Sequence, residues 1–146
     1  MRLVLALVML LASTSINDAY AQASCTKADF EAVVDDASAA LRELTAANKP
    51  TFQEKLRQLK DKRGWSHDRF MLEATPFVQD ERITEFDRRS ADHLDRISSL
   101  GSEGASAKTP DCKLLATVKE SMTGLVEAQK GKWSYMFEKL GAELAR

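Results

Sequence analysis

The stretch TPDCKLLATVKESMTGLVEAQKGKWSYMFEKLGAEL, residues 109–144, decides the fold of this chain. Its apolar side chains recur every three or four residues, the spacing that places them on one face of an α-helix. That face is formed by Cys112, Leu115, Met122, Leu125, Gln129, Trp133, Met136, Leu140 and Leu144. Thr109, Pro110 and Asp111 form a helix-start signal. The stretch therefore predicts one long amphipathic helix, in which Gly124 and Gly131 permit a bend or a close contact with another helix.

The same spacing appears at the other end of the chain. Phe30, Val33, Val34, Ala37, Leu41 and Leu44 share one stripe of a helix that begins near Thr26 and Asp29. We expect this helix to end near Asn48, because Pro50 cannot supply a backbone N–H and disfavours helical geometry in the residue before it. A second helix is expected from Thr51 to Gly64, with an apolar edge of Phe52, Leu56 and Leu59.

Two further helices are predicted between these ends. A short one starts at Ser66, just after Trp65, has Phe70 and Met71 as its apolar residues and stops before Pro76. A longer one opens at Thr75 and Pro76 and closes at Gly101. Its inward positions are Phe77, Ile83, Phe86, Ser90, Leu94 and Ile97. Residues 101–110 (GSEGASAKTP) have loop composition, and we expect a loop within a single domain.

The chain has two cysteines, Cys25 and Cys112. Both lie where a predicted helix begins, and the first and fifth of five alternating helices start at the same end of a bundle. In an oxidising compartment a cysteine pair is first interpreted as a disulfide. We therefore predict an all-α antiparallel helical bundle of four to five helices, three of them long, with one disulfide between Cys25 and Cys112.

The N-terminal residues have the pattern of an export signal. Arg2 precedes the apolar run LVLALVMLLA, residues 3–12, and both Ala19–Ala21 and Ala21–Ala23 offer the small-residue pattern of a cleavage site. The sequence predicts a signal peptide over residues 1–23, cleaved after residue 21 or 23, and a single helical-bundle domain over residues 24–146. We expect a periplasmic or secreted protein with no stable membrane insertion, because the apolar run is about half the length that crosses a bilayer.

The charge balance argues against nucleic acid as a partner. The chain has 21 basic and 22 acidic residues and a net charge of −1, so no global field attracts a polyanion. Charge is locally uneven: a basic group comprises Lys55, Arg57, Lys60, Lys62 and Arg63, and an acidic group comprises Glu73, Asp80, Glu81, Glu85 and Asp87. We interpret these groups first as solvated helix faces.

No cofactor or metal is expected from the sequence. His67 and His93 are the only histidines, and Ser90 occupies the position where a di-iron bundle would have glutamate three residues before its histidine. Haem attachment through C-x-x-C-H is also absent from the sequence. We interpret His93, between Asp92 and Leu94, as part of a solvated polar face.

An aromatic, basic stretch near the C-terminus offers a candidate partner surface. Trp133, Tyr135, Met136 and Phe137 cannot all share a narrow stripe, so some of their apolar surface is available for a partner or ligand. The alternative is a wide buried face flanked by lysines whose stems cover it.

Two classes of function remain open. The first is an exported, non-enzymatic helical protein with a binding, adaptor or chaperone-like role toward a protein partner or small ligand, with homodimerisation possible through the last helix. The second is a small all-helical secreted enzyme with an anion-binding pocket, such as a chorismate mutase-like activity. In that alternative Arg57, Lys60 and Arg63 contact the anion, and Glu85 is the carboxylate.

Overall fold

The computed structural model describes residues 25–146, so the predicted signal peptide lies outside the described residues. These residues form five α-helices: α1 (Lys27–Arg63), α2 (His67–Glu73), α3 (Thr75–Val78), α4 (Glu81–Ser106) and α5 (Cys112–Ala145). Cys25 and Cys112 form a disulfide with a Cα–Cα distance of 5.5 Å. The predicted all-α bundle with one disulfide is confirmed.

The start of α1 and the whole of α5 follow the sequence signals. Thr26 caps α1 in a capping box with Asp29, which satisfies backbone N–H groups that the first turn leaves without partners. Asp111 caps α5 by accepting hydrogen bonds from the backbone N–H groups of Lys113 and Leu114. Gly64 ends α1 with φ 62°, a left-handed conformation that glycine adopts without steric cost.

Pro50 does not end the first helix. The prediction of one helix to Asn48 and another from Thr51 was wrong, because α1 continues through Pro50 to Arg63. A proline in a helix interior costs about 3 kcal/mol, but Ala37 before it and Phe52 after it are both buried in the bundle. Packing on both sides therefore holds the helix together across a position that local propensity would break.

The fourth helix also begins and ends at residues other than those predicted. The helix opened by Thr75 and Pro76 stops at Val78, and α4 starts afresh with Asp80 as its cap, the carboxylate accepting from the backbone N–H of Ile83 at 2.8 Å. Gly101 does not close it, since α4 continues to Ser106 and the connecting loop is correspondingly shorter. The reason is packing: Gly104 is buried, and the ring of Phe30 lies against it.

The three long helices form the bundle. The disulfide joins the starts of α1 and α5. Their ends also meet, where Lys62 donates to the Leu144 carbonyl at 2.6 Å and Arg63 pairs with Glu143 at 3.1 Å. The two helices are therefore parallel, and α4 runs antiparallel to both. The short α2 and α3 lie in the connection between α1 and α4, at the end opposite the disulfide.

The core has two clusters along the bundle axis. The cluster at the disulfide end contains Phe30, Val33, Ala37, Ile97, Leu115, Val118, Met122 and Leu125. The cluster at the α2–α3 end contains Phe52, Leu59, Phe77, Ile83, Met136 and Leu140. Between them the Gln129 amide donates to the Ser90 hydroxyl at 2.8 Å. Both polar residues face inward, as their spacing predicted.

Glycines allow α4 and α5 to pack closely. A Cβ atom added at Gly124 would lie 2.3 Å from the His93 ring, and one added at Gly131 would lie 2.7 Å from the Phe86 ring. Real Cβ atoms do not approach neighbours this closely, because atoms in protein interiors are already close-packed. The predicted close helix contact at these two glycines is confirmed.

Candidate partner-binding surface

The aromatic stretch of α5 contributes mainly to the core. Met136 is buried, and Trp133, Tyr135 and Phe137 are half-buried. The Phe52 ring packs edge-on against Trp133 and Phe137, with ring centroids 5.9 and 5.5 Å apart. Edge-to-face pairs at such distances stabilise a core beyond simple area burial. These residues thus have an internal role in the cluster at the α2–α3 end, and a role in partner binding stays a prediction.

Tyr135 also belongs to a polar contact that joins α5 to the start of α4. Its hydroxyl donates to Asp80 at 2.9 Å, and the Lys139 ammonium donates to the same carboxylate. Partial burial alone would raise the pKa of Asp80, but the hydrogen bonds from Lys139, Ile83 and Tyr135 outweigh it and lower that pKa to about 2. The hydrogen bond to Asp80 in turn raises the pKa of Tyr135. The contact fixes the α3–α4 break against α5.

The proposed anion contacts have separate partners. Arg57 pairs with Glu54 at 2.6 Å, and Arg63 pairs with Glu143 at 3.1 Å. The ammonium of Lys60 lies 5.8 Å from the centroid of the Phe70 ring. Glu85, on α4, pairs with Arg88 at 2.8 Å. Each of the four groups thus has a neighbour of its own, and their role as contacts of a shared anion stays a prediction.

His93 does not lie on a solvated face. Its ring is half-buried against Gly124, and its Nδ1 atom is buried without a hydrogen-bond partner within residues 25–146. His67 is exposed at the start of α2. Within the same residues, no group of three histidine, cysteine, aspartate or glutamate side chains is placed to hold a metal ion.

The short helices expose apolar side chains. Met71 and Leu72 on α2 are 58% and 76% exposed, and Val78 on α3 is 46% exposed. We call these three residues the α2–α3 patch. α2 has no buried residue, and Phe77 is the buried residue of α3. The patch therefore lies on elements that contribute little to the core.

Sequence reasoning missed most of this patch. Met71 was named only as an apolar residue of its helix, and Leu72 and Val78 were not singled out. A signal was nevertheless present in three consecutive apolar residues, 70–72. Successive residues on a helix are rotated by about 100°, so a two-turn helix cannot turn three neighbours toward one core. Phe70 is the half-buried one, and the other two point elsewhere.

A shallow groove lies between α1 and α2, and Phe70, the sequence neighbour of Met71, is one of its lining residues. Its volume is about 320 Å³, and it is lined by Gln53, Leu56, Arg57 and Phe70. The three α1 residues follow the spacing i, i+3 and i+4, which places them on one helix face. Lys60 continues that face by one more turn, and its ammonium lies over the Phe70 ring. The groove thus has an apolar floor of Leu56 and Phe70 and a cationic rim.

The described helices have no segment long and apolar enough to cross a membrane. No protein-family model, curated protein or solved structure matches the chain. Conclusions about function therefore depend on the geometry of the bundle and its surface.

Proposed function

We propose that this protein is an exported, non-catalytic helical binding protein that engages another protein through the α2–α3 patch. The observation that supports this proposal is the exposure of Met71, Leu72 and Val78 on two short helices. Single exposed apolar residues are common on protein surfaces. Here three lie within eight residues of sequence on two short helices, and a concentration of exposed apolar area is what marks interaction sites.

The chemistry of the patch suits a partner with apolar side chains. Methionine is unbranched and polarisable, so Met71 adapts to different partner surfaces. Leu72 and Val78 add branched apolar area that gains free energy when a partner excludes water from it. Because α2 has no buried residue, docking there need not disturb the core.

Export is supported by two features. The Cys25–Cys112 disulfide is of a kind that persists in oxidising compartments outside the cytoplasm. The charged start and apolar run of residues 1–12 have the composition of an export signal. We propose the periplasm as the compartment of action.

The enzyme alternative receives less support. An anion-binding pocket needs cations that converge, whereas Arg57 and Arg63 each pair with a carboxylate of their own. Lys60 is the remaining cation of that set, and it lies over an aromatic ring at the groove. That position fits a binding surface better than a closed catalytic pocket.

Site-specific photo-crosslinking in intact cells tests the proposal. A photoreactive residue is placed at Met71 or Leu72 in the full chain, and a matched one at Leu94, which is 50% exposed on α4. We expect a discrete crosslinked protein from positions 71 and 72 and none from position 94. Equal crosslinking at all three positions, or none at any, would contradict the proposal.

A further inference from the structure

A cation of α1 lies next to the groove. Lys60 is half-buried, and its ammonium lies 5.8 Å from the centroid of the Phe70 ring. An ammonium over an aromatic face is attracted by the negative charge of the ring, and this attraction increases when water is excluded. The ammonium is thus held beside the groove, over the ring of Phe70, which is one of the residues that line it.

The neighbouring cations are largely occupied. Arg57 pairs with Glu54, Arg63 pairs with Glu143, and Lys62 donates to the Leu144 carbonyl. Within residues 25–146, Lys60 makes no ion pair with a carboxylate, and the same holds for Lys55. Residues 55–63 contain five basic side chains and one acidic side chain, Asp61. The end of α1 is therefore positively charged. At Lys60 no carboxylate of the described residues neutralises this charge.

We propose that the groove binds a segment of the partner protein in which an apolar side chain is flanked by a carboxylate. The apolar side chain contacts Leu56 and Phe70, and the carboxylate pairs with Lys60. This inference rests on the proposed function, because it names the chemistry of the partner that the α2–α3 patch engages. A volume of about 320 Å³ is at the lower end of the range for ligand pockets, which suits a single anchoring side chain.

The charge of Lys60 contributes more to the choice of segment than to the total affinity of the groove. A carboxylate brought to Lys60 gains a charge-assisted hydrogen bond at a site that the partner shields from water. A lysine or arginine brought there meets a like charge, which disfavours the wrong partner. The groove thus selects acidic, apolar segments over basic ones.

Binding of synthetic peptides tests the inference. The probes are a short fluorescent peptide with leucines at helical spacing and glutamates beside them, and its twin with glutamine in place of every glutamate. By fluorescence anisotropy at low salt we expect the Glu peptide to bind about threefold to fivefold more tightly than the Gln peptide. Lys60→Gln should remove this preference and leave the melting temperature unchanged. The matched control Lys49→Gln, an exposed lysine on the same helix and outside the groove, should retain it.

Three results would overturn the inference. Equal affinity for the two peptides would show that the groove does not distinguish glutamate from glutamine. No binding of either peptide by the unaltered protein would show that the groove does not accept such a segment. Binding to vesicles of anionic phospholipid that depends on Lys60, without the peptide preference, would assign the cation to a lipid surface. Photo-crosslinking at positions 71 and 72 tests the proposed function independently of these three results.

Discussion

Gly101 and Gly104 lie on the same helix, α4, and differ in what an added Cβ would meet. At position 104 it would lie 2.1 Å from the ring of Phe30, which is only 1% exposed and has no room to move. At position 101 the nearest atom is Val34 Cγ2 at 3.9 Å, an ordinary contact. We expect Gly104→Ala to destabilise the protein by about 1–3 kcal/mol. Gly101→Ala should stabilise it by up to about 1 kcal/mol, because alanine is the better helix former. Urea unfolding of both variants measures this, and a loss of stability in both would contradict the packing described here.

Asp80 should make stability depend on pH in the acid range. Its pKa is about 2 in the folded protein, below the ordinary aspartate value of 3.8. Because the folded pKa is the lower one, the contribution is present above about pH 4 and is lost as the pH falls through 2. We expect the native protein to lose about 1–2 kcal/mol more than Asp80→Asn between pH 5 and pH 2. Urea unfolding at the two pH values measures the difference, and identical losses would show that the contact with Lys139 and Tyr135 adds no stability.

His93 shows where residue-level interpretation failed. The sequence prediction placed Leu94 inward because it is apolar, yet Leu94 is 50% exposed and His93 packs on Gly124. The buried positions of α4 lie three, four, seven and seven residues apart, and a register of alternating three- and four-residue steps that fits them passes through position 93. Reading the spacing before the hydrophobicity would have identified the histidine as inward.

At the scale of single elements, Pro50 offers a test of how α1 holds together. The helix is continuous through this exposed proline, so alanine would restore a backbone N–H without entering the core. We expect Pro50→Ala to stabilise the protein by about 1–3 kcal/mol. Thermal unfolding monitored by circular dichroism measures the change. A less stable variant would mean that the bundle needs a bend that only the proline provides.

Three helix starts were predicted correctly, whereas the start of α4 and the continuations of α1 and α4 were not. Thr26, Ser66 and Asp111 supply local side-chain hydrogen bonds to the first turn, so the capping signal is complete within a few residues of sequence. The continuation of α1 past Pro50 and of α4 past Gly101 depends on contacts with distant residues. Local propensity cannot report such contacts, and both ends were therefore misplaced.

For the whole molecule, the disulfide is the strongest single constraint. It closes a span of 87 residues and holds the starts of the parallel helices α1 and α5 together. In the chain-entropy model, a loop of this length is stabilised by about 4–5 kcal/mol, an upper figure. We expect Cys25→Ser with Cys112→Ser to lower the melting temperature markedly and to leave the helical circular dichroism spectrum intact below it. An unchanged melting temperature in the double variant would contradict this.

The fold could be predicted from the sequence to a greater extent than the site. Helical spacing and two cysteines at helix starts were sufficient for the bundle and its bond, because both depend on regular patterns. The α2–α3 patch consists of residues that the short connection between α1 and α4 leaves outside the core. The packing of the three long helices determines which residues these are. The same packing places Lys60 over Phe70 from a different helix.

The central claim is that the α2–α3 patch binds a partner and does not stabilise the bundle. The most direct test is the free energy of unfolding in urea of the double variant Met71→Ser, Leu72→Ser, compared with the unaltered protein. Both side chains are more than half exposed, so we expect a change within about 0.5 kcal/mol. A loss of about 2 kcal/mol or more, the scale of a buried apolar side chain, would show that these residues stabilise the bundle itself and would contradict the claim.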